Sequence, residues 1–164
     1  MAVSLLAADL PQLEPHLEPL RPWLEKTWKG QQKNSKSGKV ATDVVHWERA
    51  LNGNAVRIVH SIDDGAYGGE AIVMWDQKAQ SIVYHYFTTD TFNTAGTMMF
   101  KDGKILTHDV VEGDAGGITE TRATIEMDGD GTYHQRTEFL KNGAWELATK
   151  TNYRQEPSAV VVFK

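Results

Sequence analysis

The stretch that decides the fold is Phe92-Asn-Thr-Ala-Gly-Thr-Met-Met-Phe-Lys-Asp102-Gly103-Lys-Ile-Leu-Thr-His-Asp-Val-Val111. It contains two runs rich in β-branched, aromatic and aliphatic residues, joined by an Asp-Gly pair that accepts the positive φ angles of a two-residue hairpin turn. Such a turn fixes the register, so Phe100 lies opposite Ile105 and Met98 lies opposite Thr107. The lysines that flank the turn point to the other face, which we therefore assign to solvent.

The same kind of turn recurs along the chain. Further pairs occur at Asn52-Gly53, Asp64-Gly65, Asp128-Gly129, Asp130-Gly131 and Asn142-Gly143. Between the turns we predict ten strands, at residues 26–33, 42–51, 55–62, 66–75, 81–88, 91–100, 104–112, 118–127, 132–141 and 144–154. Short links indicate an antiparallel meander. Ten strands without covering helices leave two edge strands with unpaired backbone groups unless the sheet closes. The predicted fold is all-β, a ten-stranded antiparallel up-and-down barrel.

The N-terminal segment has a different pattern. Leucines recur there at three- and four-residue steps, which is typical of an apolar helical stripe, at Leu10, Leu13, Leu17, Leu20 and Leu24. Four prolines interrupt the stripe, at Pro11, Pro15, Pro19 and Pro22, so we predict a broken helix that caps one mouth of the barrel. The chain is then a single domain with a helical cap at residues 1–25, a barrel at residues 26–155 and a tail at residues 156–164.

Composition narrows the classes of partner and compartment. The chain has 164 residues, 17 Lys and Arg against 22 Asp and Glu, a net charge of −5 and no cysteine. Nucleic acid and anionic membranes need a basic surface, so neither is an expected partner. The lack of cysteine excludes disulfides and thiolate metal sites, and no apolar run reaches the length of about 20 residues that crosses a bilayer. We expect a cytoplasmic protein, with a periplasmic or secreted one left open if residues 1–8 are the remnant of an export signal.

Several short segments lie among the turns. The helical segment leads into Thr27-Trp28-Lys29-Gly30, and later segments read Asp64-Gly-Ala-Tyr-Gly-Gly-Glu70, Trp75-Asp76 and Tyr84-His-Tyr-Phe87. In this order the chain resembles the calycin superfamily, which includes lipocalins, fatty-acid-binding proteins and small haem-binding barrels, and it is most similar to uncharacterised bacterial calycin-like proteins. The resemblance implies a barrel fold and no particular activity.

Counting residues from the turns also predicts which side chains face the lumen. Carried back across Thr89-Asp90 as a two-residue loop, the register of the first hairpin places His85 and Phe87 on the inner face together with Asp109. Counting from the turns at Asn52 and Asp64 places a further set inside, namely Val45, Trp47, Val56, Ile58, His60, Ile62, Tyr67, Ala71, Val73 and Trp75. The same counting places Glu48 opposite Arg57 on the outer face, as an exposed ion pair.

The last three strands offer two registers. A four-residue loop at residues 128–131 and a two-residue turn at Asn142-Gly143 together place one set inside, namely Thr121, Ala123, Ile125, Met127, His134, Arg136, Glu138, Leu140, Trp145, Leu147, Thr149, Thr151 and Tyr153. A bulge at either hairpin inverts the strand at residues 132–141. The inverted register returns His134, Arg136 and Glu138 to solvent and brings in Tyr133, Gln135, Thr137 and Phe139.

The inward register predicts a binding function. We expect the lumen to take a small, partly apolar ligand that carries an anionic or acceptor group, which Arg136 meets. Further polar contacts are expected from His134, Glu138, Tyr153 and His60. The apolar wall is expected to contain Trp47, Trp75, Trp145, Phe87 and Met98. No cofactor and no metal are expected, since the histidines show no metal-ligand spacing.

Two other functions stay open. His85 and Asp109 are candidates for the acid–base dyad of an enzyme that acts on a hydrophobic small molecule, because a carboxylate fixes the tautomer of an imidazole and raises its basicity. Alternatively, the core is filled, Arg136 and Glu138 form a structural ion pair, and the barrel serves as a structural or dimerisation module. A homodimer is compatible with these functions.

Overall fold

The computed structural model describes residues 11–34 and 36–164. Its ten strands are β1 (Lys26–Asn34), β2 (Val40–Ala50), β3 (Ala55–Ile62), β4 (Tyr67–Asp76), β5 (Ser81–Thr88), β6 (Phe92–Lys101), β7 (Lys104–Gly113), β8 (Ile118–Met127), β9 (Tyr133–Lys141) and β10 (Ala144–Gln155). Each strand pairs antiparallel with its neighbours in sequence, and β1 also pairs with β10, so the sheet closes. The prediction of an all-β, ten-stranded up-and-down barrel is confirmed.

A 3₁₀ helix at Pro15–Trp23 precedes the barrel, and a single 3₁₀ turn lies at Leu51–Gly53. The first helix begins after Glu14, whose carboxylate accepts from the backbone N–H of His16 at 2.7 Å. Pro19 and Pro22 lie inside it and remove the backbone donors that a continuous α-helix needs. The predicted broken helix therefore takes this tight, short form. Leu10 and the segment at residues 1–8 lie outside the described residues.

The 3₁₀ helix covers one end of the barrel. Its inner face is buried and consists of Leu17, Leu20 and Trp23. The Trp23 ring lies 6.1 Å from that of Trp47 and 6.4 Å from that of Tyr133, measured between centroids. Neither this helix nor the other helical turn in the described part of the chain has the length and apolar character that crossing a bilayer requires.

The two-residue turns set the register as predicted. Asp102 and Gly103 both have positive φ angles, 51° and 75°. Met98 accordingly pairs with Thr107 across the β6–β7 hairpin. On the outer face of β2 and β3, the carboxylate of Glu48 accepts from Arg57 at 2.6 Å, so the predicted ion pair is present.

The link between β5 and β6 is one residue longer than the predicted loop. β5 ends at Thr88 and β6 begins at Phe92, so three residues, 89–91, link the two strands, and Phe87 pairs with Asn93. This single extra residue inverts β5, and His85 and Phe87 lie on the outer face. The expectation that these two side chains face the lumen is therefore wrong, and Tyr84 and Tyr86 take the inner positions.

The link between β8 and β9 is also longer. Met127 pairs with Tyr133, which leaves five residues, 128–132, in place of the expected four. The inverted register is therefore the observed one. The outer face receives His134, Arg136 and Glu138, and the cavity is lined by Tyr133, Gln135, Thr137 and Phe139.

A bulge in β10 separates its two halves. The register with β9 shifts between Leu147 and Thr149. Before the shift Trp145 pairs with Leu140 on the outer face, and after it Thr149 pairs with Thr137 on the inner face. Trp145 is therefore outside, against expectation, whereas the inward prediction for Thr149 and Tyr153 is correct.

Candidate functional site

The barrel encloses a cavity of about 280 Å³. Aliphatic and aromatic side chains form most of its wall, among them Val45, Trp47, Ile58, Val73, Met98 and Ile125. The 3₁₀ helix closes one end. At the other end the lining side chains are partly exposed, as at Tyr67, Phe92, Ile118 and Phe139.

The inward site residues predicted from the sequence fall into two groups. Asp109, His60, Tyr153, Trp47 and Met98 line the cavity. Trp75 lies on the same face of its strand but at the capped end, where its indole ring stacks on the ring of His16 with 3.6 Å between centroids. Trp75 thus holds the cap and does not contact the cavity.

The remaining predicted site residues lie on the outer face of the barrel: His85, Phe87, His134, Arg136, Glu138 and Trp145. Arg136 donates to Glu138 at 2.9 Å, and Glu138 also accepts from Arg122 at 2.9 Å. The Arg122 hydrogen bond is the largest cause that lowers the pKa of Glu138. The guanidinium of Arg122 covers the ring of Trp145, 4.2 Å from its centroid. The predicted roles of Arg136, His134 and Glu138 inside the lumen are therefore wrong.

The first polar group inside is the Asp43 network, made of Asp43, His60, Tyr67, Tyr86 and Tyr153. The Tyr153 hydroxyl donates to Asp43 Oδ2 at 2.7 Å, and His60 Nδ1 lies 3.1 Å from Asp43 Oδ1. His60 Nε2 lies 2.6 Å from the Tyr86 hydroxyl, which lies 3.1 Å from that of Tyr67. We assign the ring proton to Nδ1 because it faces a carboxyl oxygen. Nε2 then accepts from Tyr86, and Tyr86 accepts from Tyr67.

A glycine makes the contact between Tyr153 and Asp43 possible. β1 lies between β10 and β2, and Gly30 pairs with Tyr153 on one side and with Asp43 on the other. A Cβ atom at Gly30 would lie 2.8 Å from Tyr153 Cδ1. The tyrosine ring therefore crosses β1 above a position that has no side chain.

The second polar group is the Asp109 network, made of Asp109, Tyr84 and Thr121. Tyr84 donates to Asp109 Oδ1 at 2.6 Å, and Thr121 donates to the same oxygen at 2.8 Å. Gly96 of β6 pairs with Tyr84 and with Asp109, and a Cβ atom there would lie 2.4 Å from Asp109 Cβ. The Tyr84 ring reaches its aspartate over a glycine as well.

Asp109 Oδ2 and the Thr94 hydroxyl, both in the cavity wall, have no hydrogen-bond partner among the described residues. Both hydrogen bonds to Asp109 reach Oδ1, and none from the described residues reaches Oδ2. Thr94 is 2% exposed, and its hydroxyl has no hydrogen-bond partner in that same part of the chain. A buried polar group without a partner costs about 1 to 3 kcal/mol, and this cost applies to the Thr94 hydroxyl. Together with the neighbouring Asp109 Oδ2, it marks a candidate ligand contact.

The described cavity wall contains two carboxyl groups, those of Asp43 and Asp109, and no lysine or arginine. Burial raises the pKa of Tyr84, Tyr86 and Tyr153, with the nearby charge of Asp109 as the next cause at Tyr84, so these phenols remain protonated donors. None of the described lining residues is Lys or Arg. Within residues 11–34 and 36–164, no three His, Asp or Glu side chains converge as a metal site requires.

Sequence reasoning missed Asp43, Tyr84 and Tyr86. Asp43 could have been found, because it lies two residues before Val45 and four before Trp47 on the same strand, and alternate residues of a strand share a face. A two-residue loop before β6 places His85 and Phe87 inside and thus leaves the two tyrosines on the outer face, whereas the observed link is one residue longer. For the same reason the expected pairing of His85 with Asp109 is wrong.

The comparisons with known proteins give information about the fold only. No protein-family model matches the sequence, and no curated protein matches it. Among solved structures, the chain is similar to the crystal structure of Rv2717c from M. tuberculosis, with a TM-score of 0.68 and 12% sequence identity. The match covers 88% of this chain and 99% of that one. At this identity the likeness supports the barrel architecture and carries no activity across.

Proposed function

We propose that the protein binds a small, partly apolar molecule in the lumen of a calycin-like barrel. The observation that supports this is the cavity of about 280 Å³, whose wall combines aromatic and aliphatic side chains with two convergent polar networks. Pockets for small molecules have this composition, with a few polar groups that orient the ligand in an apolar container.

The proposal does not retain the anionic group that the sequence suggested. That expectation rested on an arginine in the lumen, and the guanidinium of Arg136 bonds instead to Glu138 on the outer face. An anionic ligand would meet the carboxyl groups of Asp43 and Asp109 without a lysine or arginine among the described lining residues. Such a ligand is disfavoured by like charge in a medium of low dielectric constant.

Binding is favoured over the other two functions. An enzyme built on His85 loses its base, because that ring lies outside. The imidazole inside, His60, has Asp43 at one nitrogen and Tyr86 at the other, so neither nitrogen is vacant for a substrate proton. A filled structural core is disfavoured by the volume of the cavity.

Native mass spectrometry of the freshly purified full chain tests the proposal first. A bound small molecule that leaves on mild activation is the expected result, and a mass twice that of the chain would reveal the homodimer that the sequence leaves open. A second measurement applies when no molecule survives purification.

That measurement is the fluorescence of the neutral apolar dye N-phenyl-1-naphthylamine. We expect the dye to bind the wild type, to be excluded by Ala123→Phe, which fills the lumen, and to bind Ala95→Phe as it binds the wild type. Ala95 is the matched control because it pairs with His85 on the outer face. Absence of dye binding to the wild type, or equal binding to both variants, would refute a lumenal site.

A further inference from the structure

We infer that the lumenal ligand is a small protonated amine whose ammonium group binds at Asp109 and Thr94. The inference rests on the proposed function and names the chemical class of molecule that the cavity takes. Three independent features of the wall point to this class. The first is the pair of unpartnered oxygen atoms, and the second is the direction of the hydrogen bonds in the Asp43 network, which leaves an acceptor at Tyr67. The third is the absence of a lysine or arginine among the described lining residues.

The two unpartnered oxygen atoms lie on one patch of the wall. A further lining group without a partner among the described residues, the indole N–H of Trp47, lies apart from them, beside Trp23 of the cap. Asp109 pairs with Gly96, and Thr94 is the next inward residue on the same strand, so Asp109 and Thr94 are diagonal neighbours on one face. Asp109 Oδ2 is an acceptor, and the Thr94 hydroxyl is buried without a partner. An ammonium group has three donors and no acceptor, so one such group satisfies both oxygens at once.

The Asp43 network offers an acceptor to the cavity too. With the His60 proton on Nδ1, the Tyr86 proton is used at Nε2 and the Tyr67 proton is used at the Tyr86 oxygen. The Tyr67 oxygen then has lone pairs and no proton left for a ligand. A molecule that carries donors fits this end of the network, and a carboxylate does not.

The balance of charge selects a cation among the possible donors. Asp109 accepts from Tyr84 and Thr121, which are both neutral donors, so its carboxyl group has no cationic hydrogen-bond partner in the part of the chain that the structure describes. A ligand cation supplies an oppositely charged partner inside a mostly apolar wall, and a charge-assisted hydrogen bond is about twice as strong as a neutral one. The tyrosine rings of the wall add faces that attract cations.

The test compares three probes of similar size by titration calorimetry at pH 7, namely 2-phenylethylamine, 2-phenylethanol and 3-phenylpropionate. We expect the amine to bind the wild type about tenfold or more tightly than the alcohol, and the carboxylate to bind most weakly. Asp109→Asn should remove most of this preference. Thr94→Val should weaken amine binding about threefold, because it removes one neutral acceptor.

Asp102→Asn is the matched control. It makes the same one-unit change in net charge, and asparagine suits the exposed hairpin turn at that position as well as aspartate does. It should leave all three affinities unchanged. If Asp109→Asn is poorly folded by its thermal melt, the Thr94→Val result decides instead.

The possible outcomes separate this inference from the proposed function. Equal binding of amine and alcohol, or tighter binding of the carboxylate, overturns the amine inference and leaves lumenal binding intact. The same holds if the dye binds the lumen and no probe does. If neither the dye nor any probe binds, both proposals fail.

Discussion

In the Asp43 network a tyrosine of β10 crosses β1 over Gly30 to an aspartate of β2, and in the Asp109 network a tyrosine of β5 crosses β6 over Gly96 to an aspartate of β7. β1 and β6 are five positions apart in the ten-stranded barrel, so the two crossings lie on opposite sides of the lumen. The chain thus uses the same tyrosine, glycine and aspartate arrangement twice.

The two networks differ in how the carboxyl oxygens are used. Asp43 has one partner at each oxygen, His60 and Tyr153. Asp109 has both of its partners at Oδ1. Buried acceptors are stabilising when fully bonded and costly when they are not, so we expect the Asp43 network to serve the fold. In the proposed function, the Asp109 network supplies an acceptor to the ligand.

The largest expected effect comes from asparagine substitutions at the two aspartates. Asp43→Asn turns one acceptor into an NH2 group that faces a donor, so we expect it to lower the free energy of unfolding by about 3 kcal/mol. Asp109→Asn can keep its oxygen at Tyr84 and Thr121 and should cost less than about 1 kcal/mol. Urea unfolding curves measure both, and equal losses would contradict the distinction.

Removing the tyrosine hydroxyls should also destabilise the Asp43 network more than the Asp109 network, with smaller losses than those of the asparagine variants. Tyr153→Phe takes a donor from the buried Asp43 carboxyl and should cost about 2 kcal/mol. Tyr84→Phe should cost about 1 kcal/mol, because Asp109 borders the cavity, where water can replace the lost donor. Thermal melts of the two variants check this; a larger loss for Tyr84→Phe would show that Asp109 is the structural member of the pair.

The Thr94 hydroxyl should destabilise the barrel when no ligand is bound. Thr94→Val removes a buried group without a partner, and we expect it to raise the free energy of unfolding by about 1 kcal/mol. Thr107→Val is the control, since the Thr107 hydroxyl accepts from the backbone N–H of Ala123 at 3.2 Å. That variant should lose about 1 kcal/mol. A change of the same sign in both variants would argue against a vacant partner position at Thr94.

The smallest effect is expected on the outer face, which gives a reference for both networks. The pKa of His134 is raised because the Asn152 oxygen and the Asp128 carboxylate accept hydrogen bonds from its ring. The stabilisation is fully present below the ordinary pKa of 6.5 and is lost as the pH rises through the raised value. The side chain is 42% exposed, so solvent screening limits the effect to less than about 0.5 kcal/mol. The free energies of unfolding of His134→Gln and the wild type should differ more at pH 5.5 than at pH 8. The same difference at both pH values would show that protonation of His134 does not stabilise the fold.

The fold could be predicted because its turns carry a chemical signature. Asn-Gly and Asp-Gly pairs favour the positive φ angles that two-residue hairpins require, as at Asn142 and Gly143, with φ angles of 52° and 75°. Each such turn fixes the strands on both sides of it. Ten strands and the order of their pairing follow from these turns and the short links.

The site was predicted in part, because side-chain direction depends on single residues. The three-residue link at residues 89–91 and the five-residue link at residues 128–132 have no signature that distinguishes them from loops one residue shorter. One residue inverts a whole strand, which exchanged His85 for Tyr84 and Arg136 for Gln135. The bulge at Ala148 likewise has no glycine in the sequence to indicate it.

The cap formed by Pro15–Trp23 has a consequence for kinetics. With Trp23 packed across one end, the described residues leave the lumen open at the other end, and the part of the proposed ligand that enters there first should leave last. Two molecules cannot pass each other inside it. A second ligand therefore cannot displace the first by pushing from behind, so the rate of exchange should be set by dissociation alone and be independent of competitor concentration.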